Sequence, residues 1–456
     1  MAKKYNRELI LSGNMVTAIL SLSIPVIFNS LIQTMYNLTD TFWLGKIGTE
    51  HMAAITVVTP IQSIVMNFGS GITAAGAILI SQYVGARDEK NAKQMANQLF
   101  GSCMIFSIIC ALLVSFLTPI LVNGLGAEGN IFTYGRIYLQ IVVLDMPFLF
   151  MINLFTAVNQ AQGDTIRPLM LNILGVVLNM ILDPVFMVVF HWGVAGAALA
   201  TLIAKVPCAI IAFMSLMNKK NPVHLTIRGF RFEKDKLKQI IRIGLPTAIG
   251  SSTMQFGFVL MSKSVLSYGS TAVAAYGIGN RVNSLITTAS NAMGSATATI
   301  VGQNMGAGQV DRADKGYRLA RNIIVVFLFI GGLILSRDAV ARPIVSIFST
   351  DPEVIELGMD YLVLMAITCW TNGIYNTTMG LFHGTGHTMI TMMIDASRLW
   401  VFRFLTLFIC ERILHMGVAS IWYCVVISNA TSALILLILY HMKIWKKNNI
   451  KLDAAA

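Results

Sequence analysis

The chain has 456 residues, 55% of them hydrophobic and 12% charged, with a mean hydropathy of +0.70. Soluble domains carry about a quarter charged residues, so this composition excludes a soluble enzyme, a disordered chain and a disulfide scaffold. The net charge of +12 does not indicate nucleic acid, because the basic residues fall in short gaps between long apolar runs rather than on one water-exposed face.

A bilayer core about 30 Å thick needs about 20 residues per helix. Runs of that order lie near 16–43, 53–81, 96–122, 137–160, 169–190 and 194–217. After a polar segment at 218–239 they resume near 243–266, 270–302, 319–341, 355–381, 388–410 and 416–441. The first is too long and too interrupted for a cleaved signal and reads as a span. The expectation is an all-α integral membrane protein with 12 transmembrane helices in two pseudo-symmetric six-helix bundles. The N-lobe is placed at 1–217, a cytoplasmic linker at 218–242 and the C-lobe at 243–456. If each run crosses once, 23 Lys and Arg face the side of the N-terminus and five the other, which makes both termini cytoplasmic. All six cysteines fall within or beside apolar runs without C-x-x-C spacing, which indicates neither a disulfide framework nor a zinc site.

Sliding the chain by 221 residues aligns Pro25 with Pro246, Gly48 with Gly269, Gln82 with Gln303 and Gly85-Ala86 with Gly306-Ala307. Further along, Gly163 meets Gly386 at a shift of 223, and Gly193 meets Gly417 at 224. The chain is therefore read as an internal duplication. Six is even, so both halves enter from the same side and their symmetry axis is expected along the membrane normal.

An acid inside an apolar run is costly in lipid, which makes it a functional candidate. Asp40 lies five residues before Gly45 at the outer end of the first span, about 7 Å deep, and Asp183 lies seven before Phe190, about 10 Å deep. Asn179 shares a helix face with Asp183, and Thr201 reaches about 12 Å on a helix entering from outside. These four oxygen-bearing side chains suit a small hard cation or a proton shared between acids. Tyr36, one turn below Asp40, either donates to a carboxylate, closes the pocket or packs at the interface. At the matching second-half positions stand Met261 for Asp40, and Phe402 and Thr406 for Asn179 and Asp183, so the acids belong to one half only. Lys205, one turn past Thr201, is read as neutralising or pairing with an acid, touching substrate, or snorkelling toward a water-filled cavity. Asp395 and Arg398, three apart, are expected to pair. His383 and His387 have i, i+4 spacing, but Gly384 and Gly386 between them point to a turn rather than a metal site. The small-residue stretches 69–77 and 294–302 are expected to allow close helix packing.

The Pro25 helix, YNLTDTFWLGKIG (36–48), QYVGARDEKNA (82–92), QAQGDT (160–165), NMILDP (179–184) and GQNMGAG (302–308) resemble MATE (multidrug and toxic compound extrusion) transporters over nearly the whole chain. The likeness is greatest to the bacterial DinF-like branch. It implies secondary active multidrug efflux, exporting amphipathic or cationic organic compounds in antiport with H+ or Na+ by alternating access. It also implies a cation or proton site at Asp40, Asn179, Asp183 and Thr201, with Tyr36 and Asn153 as neighbours, and the same four as Na+ ligands if sodium couples. Pro25 would be a hinge. Acids that the NorM-like branch carries in its C-lobe are replaced here by neutral residues, which argues against a C-lobe sodium site. The expected setting is the bacterial inner (plasma) membrane, as a multi-pass monomer with no cofactor beyond the coupling ion. No nucleic acid is implied. No G-x-x-x-x-G-K-[ST] occurs, so ATP is not the direct driver. A flippase for lipid-linked oligosaccharides shares this helix plan by resemblance, but would be expected to show a charged central cavity and extra spans. A membrane-embedded enzyme would need a catalytic constellation near one surface, and none is found.

Overall fold

Lipid offers no water to an open backbone N–H or C=O, so a chain this apolar must satisfy those groups within each segment, and helices do so. The computed structural model of the protein describes residues 2–226 and 228–450, and among them there is no strand. A short helix α1 (Ala2–Leu11) leads to Asn14, whose side chain accepts from the backbone N–H of Val16 at 2.9 Å and opens α2 (Met15–Ile47). There follow α3 (Thr49–Gly85), α4 (Glu89–Gly124), α5 (Gly129–Val143), α6 (Met146–Ala161) and α7 (Ile166–Pro184). A π-helical turn, Val185–Val189, then leads to α8 (Gly193–Met217).

The second half repeats the plan with α9 (Lys234–Leu266), α10 (Ser270–Gly306), α11 (Val310–Leu335), a short α12 (Asp338–Ser346), α13 (Pro352–Thr368) and α14 (Trp370–Gly384). Its next helix is broken into α15 (Thr388–Ala396), a π-helical run Ser397–Arg403, α16 (Phe404–Phe408) and a second π-turn Ile409–Ile413, before α17 (Ala419–His441). Among the described residues seven segments (α2, α3, α4, α7 with its π-turn, α8, α11 and α17) are long and apolar enough to cross a membrane. The α5–α6 and α13–α14 pairs, bent by 47° and 50°, make nine if each counts as one span. The other three of the 12 expected spans fall on α9, α10 and the broken 388–413 helix, which are as long but richer in polar residues.

Matching backbone conformations support the duplication. Gly48 and Gly269 cap α3 and α10 with φ of 142° and 96°, Gly163 and Gly386 have φ of 83° and 77°, and His191 and His415 share the left-handed region at 56° and 52°. Side chains other than glycine seldom adopt that region, so its recurrence in register is informative.

The chain packs as two units, one comprising Met1–Arg7 and Ile24–Ala248, the other Glu8–Ser23 and Ile249–Ala456. Their boundaries fall inside α2, one residue before Pro25, and inside α9, two residues after Pro246. The polar segment at 218–242 does not hang free within the first unit. Gln98 donates to the Arg231 carbonyl at 2.7 Å and Asn97 accepts from Thr226 N–H at 2.8 Å. Arg167, paired with Asp164 at 3.3 Å, donates to Asn221 at 3.2 Å. In the second unit Arg312 donates to the carbonyls of Ile10 at 3.0 Å and Gly13 at 2.7 Å, closing the end of α1. Lys451 of the charge count lies outside the described residues.

The small-residue stretches do bring backbones together. A Cβ on Gly71 would stand 2.5 Å from the Gly244 carbonyl oxygen, and one on Gly380 would stand 2.2 Å from that of Gly294. Overpacking at such a contact costs about 1–3 kcal/mol or more. Gly380→Val is therefore expected to lower the melting temperature in detergent clearly, whereas Gly331→Ala, where nothing lies within 4 Å, should leave it unchanged or raise it. Equal melting of the two variants would refute the close α10–α14 approach.

Candidate functional site

Four elements of the first unit converge on one cluster. α2 presents Tyr36 and Asp40, α7 presents Asn179 and Asp183, α8 presents Thr201 and Lys205, and the α5–α6 bend presents Asp145. Local sequence explains the approach. Pro184 ends the regular part of α7 and the π-turn follows, a departure frequent at functional sites. A Cβ on Gly196 would meet the Phe186 carbonyl oxygen at 2.7 Å, so only glycine lets α8 lie this close to that turn.

Asn179 Nδ2 donates to Asp183 Oδ1 at 3.2 Å and reaches Thr201 Oγ1 at 3.5 Å, while Tyr36 Oη lies 3.4 Å from the same hydroxyl. Asp183 is fully buried and Asn179 nearly so, whereas Tyr36 and Asp40 are half-buried. Asp183 Oδ2 and Asn179 Oδ1 are both buried without a hydrogen-bond partner among the described residues. Asp40 is near enough to act electrostatically on Asp183 and on Tyr36. The structure therefore brings together Tyr36, Asp40, Asn179, Asp183 and Thr201. Asn153, on α6, is half-buried and makes no hydrogen bond to this group among the described residues.

Lys205 pairs with an acid that sequence reading overlooked. Its Nζ lies 2.5 Å from Asp145 Oδ2, with the Asp145 side chain 3% exposed. Lys205 also acts on Asp40, so the cluster holds three carboxylates and one ammonium. It lacks two positive charges when all four are ionised. Two uncommitted buried oxygens beside such a deficit are what a proton or a small cation would fill. Tyr138, from α5, acts electrostatically with the same acids. The sequence did hold a signal for Asp145: an acid in an apolar run, two residues before Pro147.

The second half departs from the expected equivalence. Its π-turn Ile409–Ile413 corresponds to Val185–Val189 at a shift of 224, but the additional π-run Ser397–Arg403 inserts one residue after the shift of 223. Asn179 is thus matched by Arg403 rather than Phe402, and Asp183 by Leu407 rather than Thr406. Asp395 and Arg398 also correct the sequence reading, because no ion pair joins them among the described residues. Tyr375 donates its hydroxyl to Asp395, and Arg398 stacks 4.2 Å over the Tyr375 ring and binds Asn429 instead. The π geometry changes the angular spacing on which the i, i+3 expectation rested. His383 and His387 flank a turn at Gly386, each bonded to a threonine: Thr391 at 3.1 Å and Thr385 at 2.9 Å. Burial pushes the His387 imidazole below its ordinary range.

The MatE family model matches residues 25–185 and 246–409, the corresponding segments of both halves. The chain belongs to the MATE family. The Probable multidrug resistance protein YoeA of Bacillus subtilis is 24% identical over 438 residues, 94% of this chain and 93% of its own length. The Multidrug export protein MepA of Staphylococcus aureus (strain MW2) is 24% identical over 371 residues, 81% of each. A crystal structure of MATE in the bent conformation superposes with a TM-score of 0.90 at 23% identity, over 96% of this chain and 97% of that one. A MOP superfamily transporter from Pyrococcus furiosus gives 0.88 at 23%, over 96% and 98%. These structures establish the MATE fold, and the family match together with the apolar helices makes this a multi-pass membrane protein.

Proposed function

We propose that the protein is a secondary active multidrug efflux transporter that exports amphipathic or cationic organic compounds in antiport with H+ or Na+. The observation that carries the reading is the pair of buried, uncommitted oxygens on Asp183 and Asn179 within an acid-rich cluster. The names of YoeA and MepA support multidrug export, and the position of Asp40, Asn179, Asp183 and Thr201 on the first, fifth and sixth spans supports the DinF-like branch. We place it in the bacterial inner membrane, as a monomer with both termini cytoplasmic.

A proton or sodium ion entering the cluster would cancel the repulsion between Asp40 and Asp183. Pro25 lacks an N–H, so α2 is weakest there and can bend at low cost. Beyond that point α2 is tied to α7 and α8 by Asn29–Asn172, at 2.8 Å, and Tyr36–Thr201. Filling the site therefore acts on the segment of α2 above the hinge, and the shift in population toward a bent helix releases the bound compound.

Ethidium transport by the purified protein in liposomes tests this, with proton and sodium gradients imposed separately. One gradient should drive accumulation that the matching ionophore collapses. Transport indifferent to both gradients would overturn the coupling.

A further inference from the structure

Two guanidinium groups inside the second unit are satisfied only by neutral atoms. Arg398 donates to Asn429 Oδ1 through Nε at 3.0 Å and Nη2 at 2.7 Å, and to Asn372 Oδ1 at 3.3 Å. Arg403, 2% exposed, donates to the same Asn429 oxygen at 3.2 Å and to Ser428 Oγ at 3.1 Å. Its Nη1 is buried with no partner among the described residues. The two cations act on each other repulsively. The acid beside them, Asp395, is engaged by the Tyr375 hydroxyl and offsets one of the two charges.

A buried guanidinium without a counter-charge is costly, and more so at the depth of a membrane span. The planar fork of arginine matches a carboxylate or similar oxyanion, and Arg403 still has a donor uncommitted. Arg398 and Asp395 beside it are only partly buried. The approach of α9 is close: a Cβ on Gly250 would stand 3.2 Å from Asp395 Oδ2, and one on Gly257 would clash with Leu399 at 1.3 Å. The insertion of one π-helical residue is what turns Arg403 into the position that Asn179 holds in the first half. The two halves thus carry polar clusters of opposite charge at equivalent places.

We propose that the second unit holds an anion site, built on Arg403 and Arg398, that takes a carboxylate or other monovalent anionic group. The source is either a small organic acid or a free inorganic ion. The inference goes beyond the coupling reading and does not depend on it.

Equilibrium binding of radiolabelled benzoate and of radiolabelled chloride to the full chain purified in detergent tests it, with benzyl alcohol as the neutral competitor. The expected result is saturable binding that benzyl alcohol does not displace and that Arg403→Gln or Arg398→Gln weakens at least tenfold. Arg403→Lys, which keeps the charge but loses the fork, should weaken it less and serves if Arg403→Gln does not fold. Benzoate binding that resists chloride assigns the site to an organic acid. Chloride binding without benzoate binding assigns it to an inorganic counter-ion, and either supports the anion site. Absence of saturable binding of both probes, or unchanged affinity in both glutamine variants, overturns it. No transport is measured, so failure here leaves the coupling reading where it stands.

Discussion

Asp183→Asn is expected to abolish gradient-driven export from liposomes while leaving insertion and melting nearly unchanged. The substitution keeps the shape and leaves an oxygen to accept from Asn179 Nδ2, now 3.2 Å from Asp183 Oδ1. What it removes is the charge and the buried carboxylate oxygen, Asp183 Oδ2, that is uncommitted among the described residues and can hold a proton or cation. Losing a charge-assisted ligand worth about 3 kcal/mol lowers cation affinity by about a hundredfold. Asp40→Asn should act in the same direction with a smaller effect on affinity, because Asp40 is only half-buried. Wild-type drug resistance in cells expressing either variant at normal levels would remove the basis for coupling through this cluster.

Lys205→Met is expected to destabilise the protein outright. It leaves Asp145, 3% exposed and 2.5 Å from the lost ammonium, as an unpaired buried acid. Breaking one side of a buried pair costs about 3–5 kcal/mol, and the lower figure applies because Lys205 keeps some exposure. The melting temperature should fall clearly. Adding Asp145→Asn to Lys205→Met should recover most of the loss, because a neutral amide tolerates burial better than a lone carboxylate. A Lys205→Met protein that melts with the parent, or a double variant no better than the single one, would show that the pair contributes little to stability.

The helical plan was legible because apolar run length reports span length directly. The duplication was legible because turns needing positive φ must keep glycine, as at Gly48 and Gly269. Tyr36, Asp40, Asn179, Asp183 and Thr201 converge because depth along straight helices is a linear function of residue number. That arithmetic fails wherever a helix is not straight or not α. Asp145 sits at a 47° break inside what reads as one span at 137–160. Asn179 was matched to Phe402 rather than Arg403 because the change of shift from 223 to 224 says that a residue has been inserted but not where. Only the backbone hydrogen bonds of Ser397–Arg403 locate it. The same π-run defeats the Asp395–Arg398 pairing rule, which presumes 3.6 residues per turn.

The exchange of helix ends at Pro25 and Pro246 bears on how the chain is made. Residues 8–23 are synthesised early yet belong with residues 249–456. At ordinary elongation rates of about 5–20 residues per second, roughly 240 residues and some tens of seconds separate the two. The second unit cannot be completed around residues 8–23 until residues 249–456 have been translated, so a nascent chain arrested between them carries an apolar helix end awaiting its place.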